Sequence, residues 1–266
     1  MMKRCSVLTL SVLSALTFTA QAAEEQTNDP ADVTRPQTYL KVDSGAKGKD
    51  GLTRLQLNMA GSYTEEIGYL AQLEGDFQTN VDADKKNGKS SDFGMSRVRA
   101  RYFQVHATGF ELLPEVGFSL DYIDYANNWV AKDAGANNTV AVGAVAKVIT
   151  PFESWVSYPN VAVMRNSYDN GKSGNGWQAN WFNSFYLTEK GSYITVNPQY
   201  ANYENAFGQN EQSLEMMMEG GVPLSSDGSV WGNVTYSEHF FKAGGESRMK
   251  HLDGNREVRI GATWFF

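Results

Sequence analysis

The chain has 266 residues, a formal net charge of −7, and 41% hydrophobic and 12% aromatic residues. That acidity disfavours a nucleic-acid partner, and no apolar run near 18 residues follows the N-terminal stretch, which excludes a transmembrane helix as the route into a membrane. The only cysteine, Cys5, falls in a segment expected to be removed, so the mature chain would carry no disulfide and no thiolate metal site.

Residues 1–23 read as a signal peptide. Lys3 and Arg4 give a basic start, Val7 to Phe18 an apolar stretch, and Ala20-Gln21-Ala22 a small-x-small cleavage signature. A membrane anchor would need roughly 20 uninterrupted apolar residues, and this stretch is shorter. Residues 24–36 are polar and acidic, contain Pro30 and Pro36 and show no periodicity, which marks a flexible periplasmic lead-in. The rest, 37–266, is expected to form one domain.

From residue 37 onward the pattern has a period of two. Leu55, Leu57 and Met59 alternate with Arg54, Gln56 and Asn58, and Val140, Val142, Ala144 and Ala146 with Thr139, Ala141, Gly143 and Val145. Marking each such segment gives strands at about 37–44, 52–63, 66–79, 93–107, 113–125, 138–149, 155–168, 176–187, 191–203, 211–223, 229–241 and 254–266. Short connections such as Thr64-Glu65 and Ser225 to Gly228 alternate with longer ones rich in Gly, Asn, Asp and Lys, as in outer-membrane barrels. In the last segment Val258, Ile260, Ala262, Trp264 and Phe266 share one face, which would meet lipid. The expectation is an all-β fold: a twelve-stranded antiparallel transmembrane β-barrel of the cell outer membrane, with both termini periplasmic. A soluble β-sandwich would need a second sheet to cover these oily faces. A bulge at Pro159 or Pro198 would exchange the two faces of its strand.

Function should lie on the lumen face. Arg97, Arg99 and Arg101 share one face of a strand, and the neighbouring strand offers Glu74 and Asp76, with Gln72 and Gln78, so a salt-bridged ladder is expected across the wall. Lys41, Arg54 and Arg259 form a second basic group once the barrel closes, with Lys147 and Arg165 joining from the far side. Such a group could hold the carboxylates of a sugar acid by bidentate hydrogen bonds. It could equally do no more than neutralise lumen carboxylates such as Asp121, Glu215, Glu219 and Glu257. Trp231, Phe182, Phe241 and Tyr125 also project inward in this register. His106, His239 and His251 have no serine or acid at a spacing that builds a triad, and phosphate-loop and metal-ligand motifs are absent from the sequence. No enzyme activity and no cofactor are expected.

The strand Thr53-Arg54-Leu55-Gln56-Leu57, its partner Tyr69-Leu70-Ala71-Gln72-Leu73-Glu74, the opening Leu113-Pro114-Glu115 and the closing Arg259-Ile260-Gly261 with its aromatic end resemble the oligogalacturonate-specific porins of the KdgM type. The resemblance is one of layout over most of the mature chain. It implies a monomeric, passive twelve-stranded channel for acidic sugars, with two basic tracks facing each other and Arg54 and Arg259 at positions where such arginines stand. The chain departs from that pattern in having fewer basic residues in its later strands and more lumen carboxylates. Residues 174–187 also faintly resemble the nucleoside-channel family. The reading is a passive outer-membrane porin for small hydrophilic solutes, oligosaccharides or sugar acids, whose other partner is outer-membrane lipid. The alternatives are a nucleoside-type channel and a non-conducting surface barrel acting through its external loops.

Overall fold

The computed structural model describes residues 28, 30, 36–48, 50–79, 93–125, 136–168, 171–188 and 191–266, without the side chains of 252–255. The expected signal peptide and most of the 24–36 lead-in lie outside the described residues. Of that lead-in, Pro30 is held at one mouth of the barrel, where its carbonyl accepts the Tyr39 hydroxyl at 3.3 Å.

Twelve strands follow in order: β1 (Gln37–Lys47), β2 (Asp50–Thr64), β3 (Ile67–Gln78), β4 (Gly94–Phe110), β5 (Leu113–Asp124), β6 (Ala136–Lys147), β7 (Trp155–Tyr168), β8 (Ser173–Tyr186), β9 (Tyr193–Glu204), β10 (Asn210–Pro223), β11 (Val230–Lys242) and β12 (Lys250–Phe265). Each pairs antiparallel with its neighbours in sequence, and β1 closes onto β12 through Tyr39↔Phe265 to Lys47↔Glu257. Closure leaves no sheet edge, the condition for placing backbone polar groups in hydrocarbon. Both ends of the described barrel chain lie at the same rim as the short connections after β2, β4, β6, β8 and β10. This is called the terminal end below, and the opposite rim the loop end.

The two faces separate as the alternation requires. On the outer face Val163 is 70% and Ile260 67% exposed, whereas inward Arg259 is 2% exposed. Exposed apolar side chains on nearly every strand have no second sheet to cover them and form the lipid belt. Aromatic pairs flank it, among them Trp155–Phe185 (ring centroids 5.5 Å apart), Tyr63–Tyr69 (4.7 Å) and, toward the loop end, Trp177–Tyr200 (5.2 Å).

Register is continuous through Pro159, opposite Trp181, and through Pro198, opposite Met216 on β10, so neither proline makes a bulge. Bulges fall instead at Ser62/Thr64, Asp76/Phe77, Ala107/Phe110, Ala136/Asn138 and Glu238/Phe240, near strand ends. The first hairpin is tighter than the sequence pattern suggested. β1 runs on to Lys47 and β2 starts at Asp50, with Gly48 supplying the left-handed backbone (φ 60°) that the turn needs.

The barrel interior is not a round pore. β4 reaches across to β8 and β9: Phe103 meets Phe182 edge-on (centroids 6.2 Å, 84°), and Arg99 Nη2 donates to Gln199 Oε1 at 3.5 Å. Behind that bridge, small inward residues let β5, β6 and β7 pack closely, with Asn160 Nδ2 bonded to Ser119 Oγ at 2.7 Å. Toward the loop end Ala141, Ala162, Met164 and Ala201 form a buried cluster against Tyr203.

Candidate functional site: an ion-paired lumen cavity

On the open side of the bridge is a cavity of about 340 Å³. It runs from the terminal mouth, at Ser62, Glu65 and Glu66, to the level of Asp43, Arg54, Arg97 and Glu215. Its walls are the inward faces of β1 to β4 and of β8 to β10, with Glu115 from β5, Val145 from β6, Tyr158 from β7 and Arg259 from β12.

Of the ladder expected between β3 and β4, Arg97 alone forms ion pairs with Glu74 and Asp76, joined there by Arg54 from β2, while Arg99 and Arg101 turn to Asp121 on β5. Arg54 forks onto Asp76, Nε to Oδ1 at 2.6 Å and Nη2 to Oδ2 at 3.0 Å, and its Nε is 3.5 Å from Glu74. Arg97 bonds Glu74 and lies 2.8 Å from Asp76 Oδ2. Next on the inward face of β4, Arg99 forks onto Asp121 of β5, with Nε to Oδ1 at 2.9 Å and Nη2 to Oδ2. Arg101 Nε is 3.7 Å from the same carboxylate, Nη1 donates to Gln72 Oε1 at 3.3 Å, and the guanidinium carbon stands 5.9 Å from the Phe182 ring centroid.

Closing the barrel brings Lys41, Arg54 and Arg259 onto three adjacent strands, as the second group required, but each base arrives with its own acid. Lys41 bonds Glu219, which also accepts the Tyr193 hydroxyl at 2.9 Å and the Thr235 hydroxyl at 3.1 Å. Asp43 lies between Lys41 Nζ (3.5 Å) and Arg259 Nε (3.8 Å) and accepts Asn233 Nδ2 at 2.5 Å, while Arg259 also pairs with Glu257. These arginines therefore follow the neutralising reading. Freeing one for a solute breaks a buried ion pair, at a cost that reaches about 3–5 kcal/mol where its carboxylate has no second base.

Of three further expected residues, one faces outward and two face inward away from the basic group. Arg165 shares the outer face with Val161 and Val163 and donates to Ser173 Oγ at 3.0 Å; Met164 and Asn166 hold the inward positions of that strand. Lys147 does point inward, but at the terminal end of β6 it pairs with Glu115 (3.3 Å) rather than joining the basic group. Trp231 points inward and is 1% exposed, packed on Tyr193 (centroids 5.9 Å) with Nε1 donating to the Gly228 carbonyl at 2.9 Å. It is part of the terminal-end packing and not of the cavity wall. The paired bases thus occupy one arc from β12 through β1, β2 and β3 to β4, not two facing tracks. Opposite them is an uncharged wall of Asn180, Phe182, Ser184, Thr195, Asn197 and Gln199. Of these the sequence reading had only Phe182; the signal for the rest is the spacing of two among Gln178, Asn180, Phe182 and Ser184, and again among Thr195, Asn197 and Gln199.

A closed antiparallel barrel with an apolar outer belt, aromatic flanks and a polar lumen is the architecture of outer-membrane β-barrel proteins. Among solved structures, one similarity supports this fold. An outer-membrane channel from Pseudomonas putida F1 superposes with a TM-score of 0.60 at 11% identity, over 90% of this chain and 100% of that one. OmpT, an outer-membrane protein of Vibrio cholerae, gives 0.46 at 9% identity over 86% and 98%. An anion-selective porin from Comamonas acidovorans gives 0.34 at 10% identity over 86% and 98%. No family model matches the chain, and no curated protein matches it.

Proposed function

We propose that the protein is a passive, non-enzymatic channel of the outer membrane for small hydrophilic solutes, with oligosaccharides favoured over polyanions. The observation that carries this reading is the cavity itself. It is a space inside a lipid-belted barrel, lined on one side by bases already held by acids and on the other by amides and hydroxyls, with aromatic rings such as Phe103, Tyr158, Phe182 and Tyr193 among them. Sugar acids, the cargo that the KdgM resemblance implies, would have to compete with Asp76, Glu74 and Asp121 for the same guanidinium groups. Uncharged hydroxyls face no such competition, and weak, multiple hydrogen bonds let a solute leave as readily as it enters.

A second reading has its own observation. The Phe103–Phe182 and Arg99–Gln199 bridges and the buried cluster around Met164 fill much of the interior, as a non-conducting barrel would require. Single-channel recording of the refolded protein in planar bilayers separates the two. Discrete openings reduced by added oligosaccharide support the channel; a folded barrel that never conducts rules it out.

A further inference from the structure

The uncharged wall has its hydrogen-bonding ends fixed by a chain of amides. The Ala144 carbonyl can only accept, so Asn160 turns Nδ2 toward it (2.8 Å) and toward Ser119 Oγ (2.7 Å). Asn160 Oδ1 is thereby an acceptor, and Asn180 Nδ2 donates to it at 3.0 Å. That leaves Asn180 Oδ1 without a protein partner beside the cavity, on a side chain only 7% exposed. On the adjacent strand the Asn183 backbone N–H donates to Asn197 Oδ1 at 3.3 Å, and Arg99 takes Gln199 Oε1. Both of those amides keep their nitrogen ends as donors. Phe182 stands opposite Asn197 in the β8–β9 register and two residues from Asn180, inward-facing and lining the same cavity.

One acceptor, two amide donors and an aromatic ring, with no net charge, match the chemistry of a sugar ring. Its C–H face packs on the aromatic, and its hydroxyls both donate and accept. We propose that Asn180, Phe182, Asn197 and Gln199 form a binding subsite for an uncharged sugar ring. The assignment rests on the channel reading for how a sugar reaches this wall. It places recognition on the uncharged side of the lumen, with the arginines opposite serving to hold the pore wall.

Isothermal titration of the detergent-refolded full barrel with maltotriose and, separately, with trigalacturonate tests the assignment without requiring conduction. Wild type should bind maltotriose at least as well as trigalacturonate. Phe182→Leu and Asn180→Ser should each weaken maltotriose at least tenfold while keeping the β-sheet circular dichroism of the folded barrel. If Asn180→Ser does not refold, Phe182→Leu alone decides. Unchanged maltotriose affinity in a folded variant, or binding of trigalacturonate alone, overturns the subsite. A wild type that conducts but binds no maltotriose removes the subsite and leaves the channel; one that binds maltotriose and never conducts keeps the subsite and removes the channel.

Discussion

At the scale of single residues, the lumen is held by carboxylates that each serve one or two guanidinium groups. Asp121 is the sharpest case, because Arg99 is 4% exposed and depends on it for both arms of its fork. Asp121→Ala would leave a buried unpaired charge and should destabilise the barrel by about 3–5 kcal/mol, read as a lowered midpoint in urea unfolding from lipid vesicles. Replacing both partners with apolar residues, Arg99→Met with Asp121→Leu, should recover most of that loss. Failure of the double variant to recover would mean that Arg99 acts through Gln199 more than through the pair. Outside the membrane span, Asp227 in the turn between β10 and β11 is held at about 2 by the Ser225 hydroxyl and by the Ser229 N–H (3.0 Å) and hydroxyl (2.8 Å). Since its folded value lies below the ordinary 3.8, the turn gains stability above that pH and loses it as pH falls through about 2. A carboxyl NMR titration should show that midpoint, and Ser229→Ala should move it up toward 3.8.

At the scale of elements, the β7–β9 wall shows how a barrel tolerates proline in mid-strand. Pro198 has no N–H to give, and the β8–β9 ladder is interrupted between Asn180↔Gln199 and Asn183↔Val196. Side chains fill the gap. Asn183 Nδ2 donates to the carbonyls of Trp181 (3.2 Å) and Val196 (3.3 Å), and Asn183 Oδ1 accepts Ser157 Oγ (3.0 Å) and Trp155 Nε1 (3.1 Å). Asn183→Leu keeps the volume but strands two carbonyls in an apolar setting, each costing about 1–3 kcal/mol. Hydrogen exchange should then rise on β8 and β9 while β2 and β3 stay protected; uniform protection would show that the ladder closes without the amide. The strand count, the faces and the Arg97 pairs across β3 and β4 were legible in the sequence because alternation with one oily face admits few registers, whereas Asp121 on the next strand drew Arg99 and Arg101 away. Arg165 was not, because both faces of β7 are apolar, Val161 and Val163 outside and Ala162 and Met164 inside, so period two carries no sign there. Trp231 was placed on the correct face, but its role depends on a turn carbonyl that no side-chain pattern encodes.

At the scale of the whole molecule, the question is what field a passing ion meets. Lys41, Lys47, Arg54, Arg97, Arg99, Arg101 and Arg259 face Asp43, Glu74, Asp76, Asp121, Glu215, Glu219 and Glu257, seven bases against seven acids, most of them in direct ion pairs. Paired charges a few ångströms apart act on a permeant ion as dipoles, since their separation is well below the Debye length of about 10 Å at 0.1 M salt. What remains is the terminal mouth, where Glu65 and Glu66 line the cavity and take part in no ion pair among the described residues. On the proposed channel reading, the paired lumen arginines therefore give no anion preference. A salt gradient of potassium chloride near 0.1 M should give a small reversal potential of cation-selective sign. It should shrink toward zero near 1 M, where the Debye length is about 3 Å. Glu65→Gln with Glu66→Gln should abolish the preference at low salt, and Arg54→Ala should strengthen it by leaving Glu74 and Asp76 with one arginine fewer. An anion-selective reversal potential in the wild type would show that the ion pairs open in the conducting state and expose their arginines to the solute.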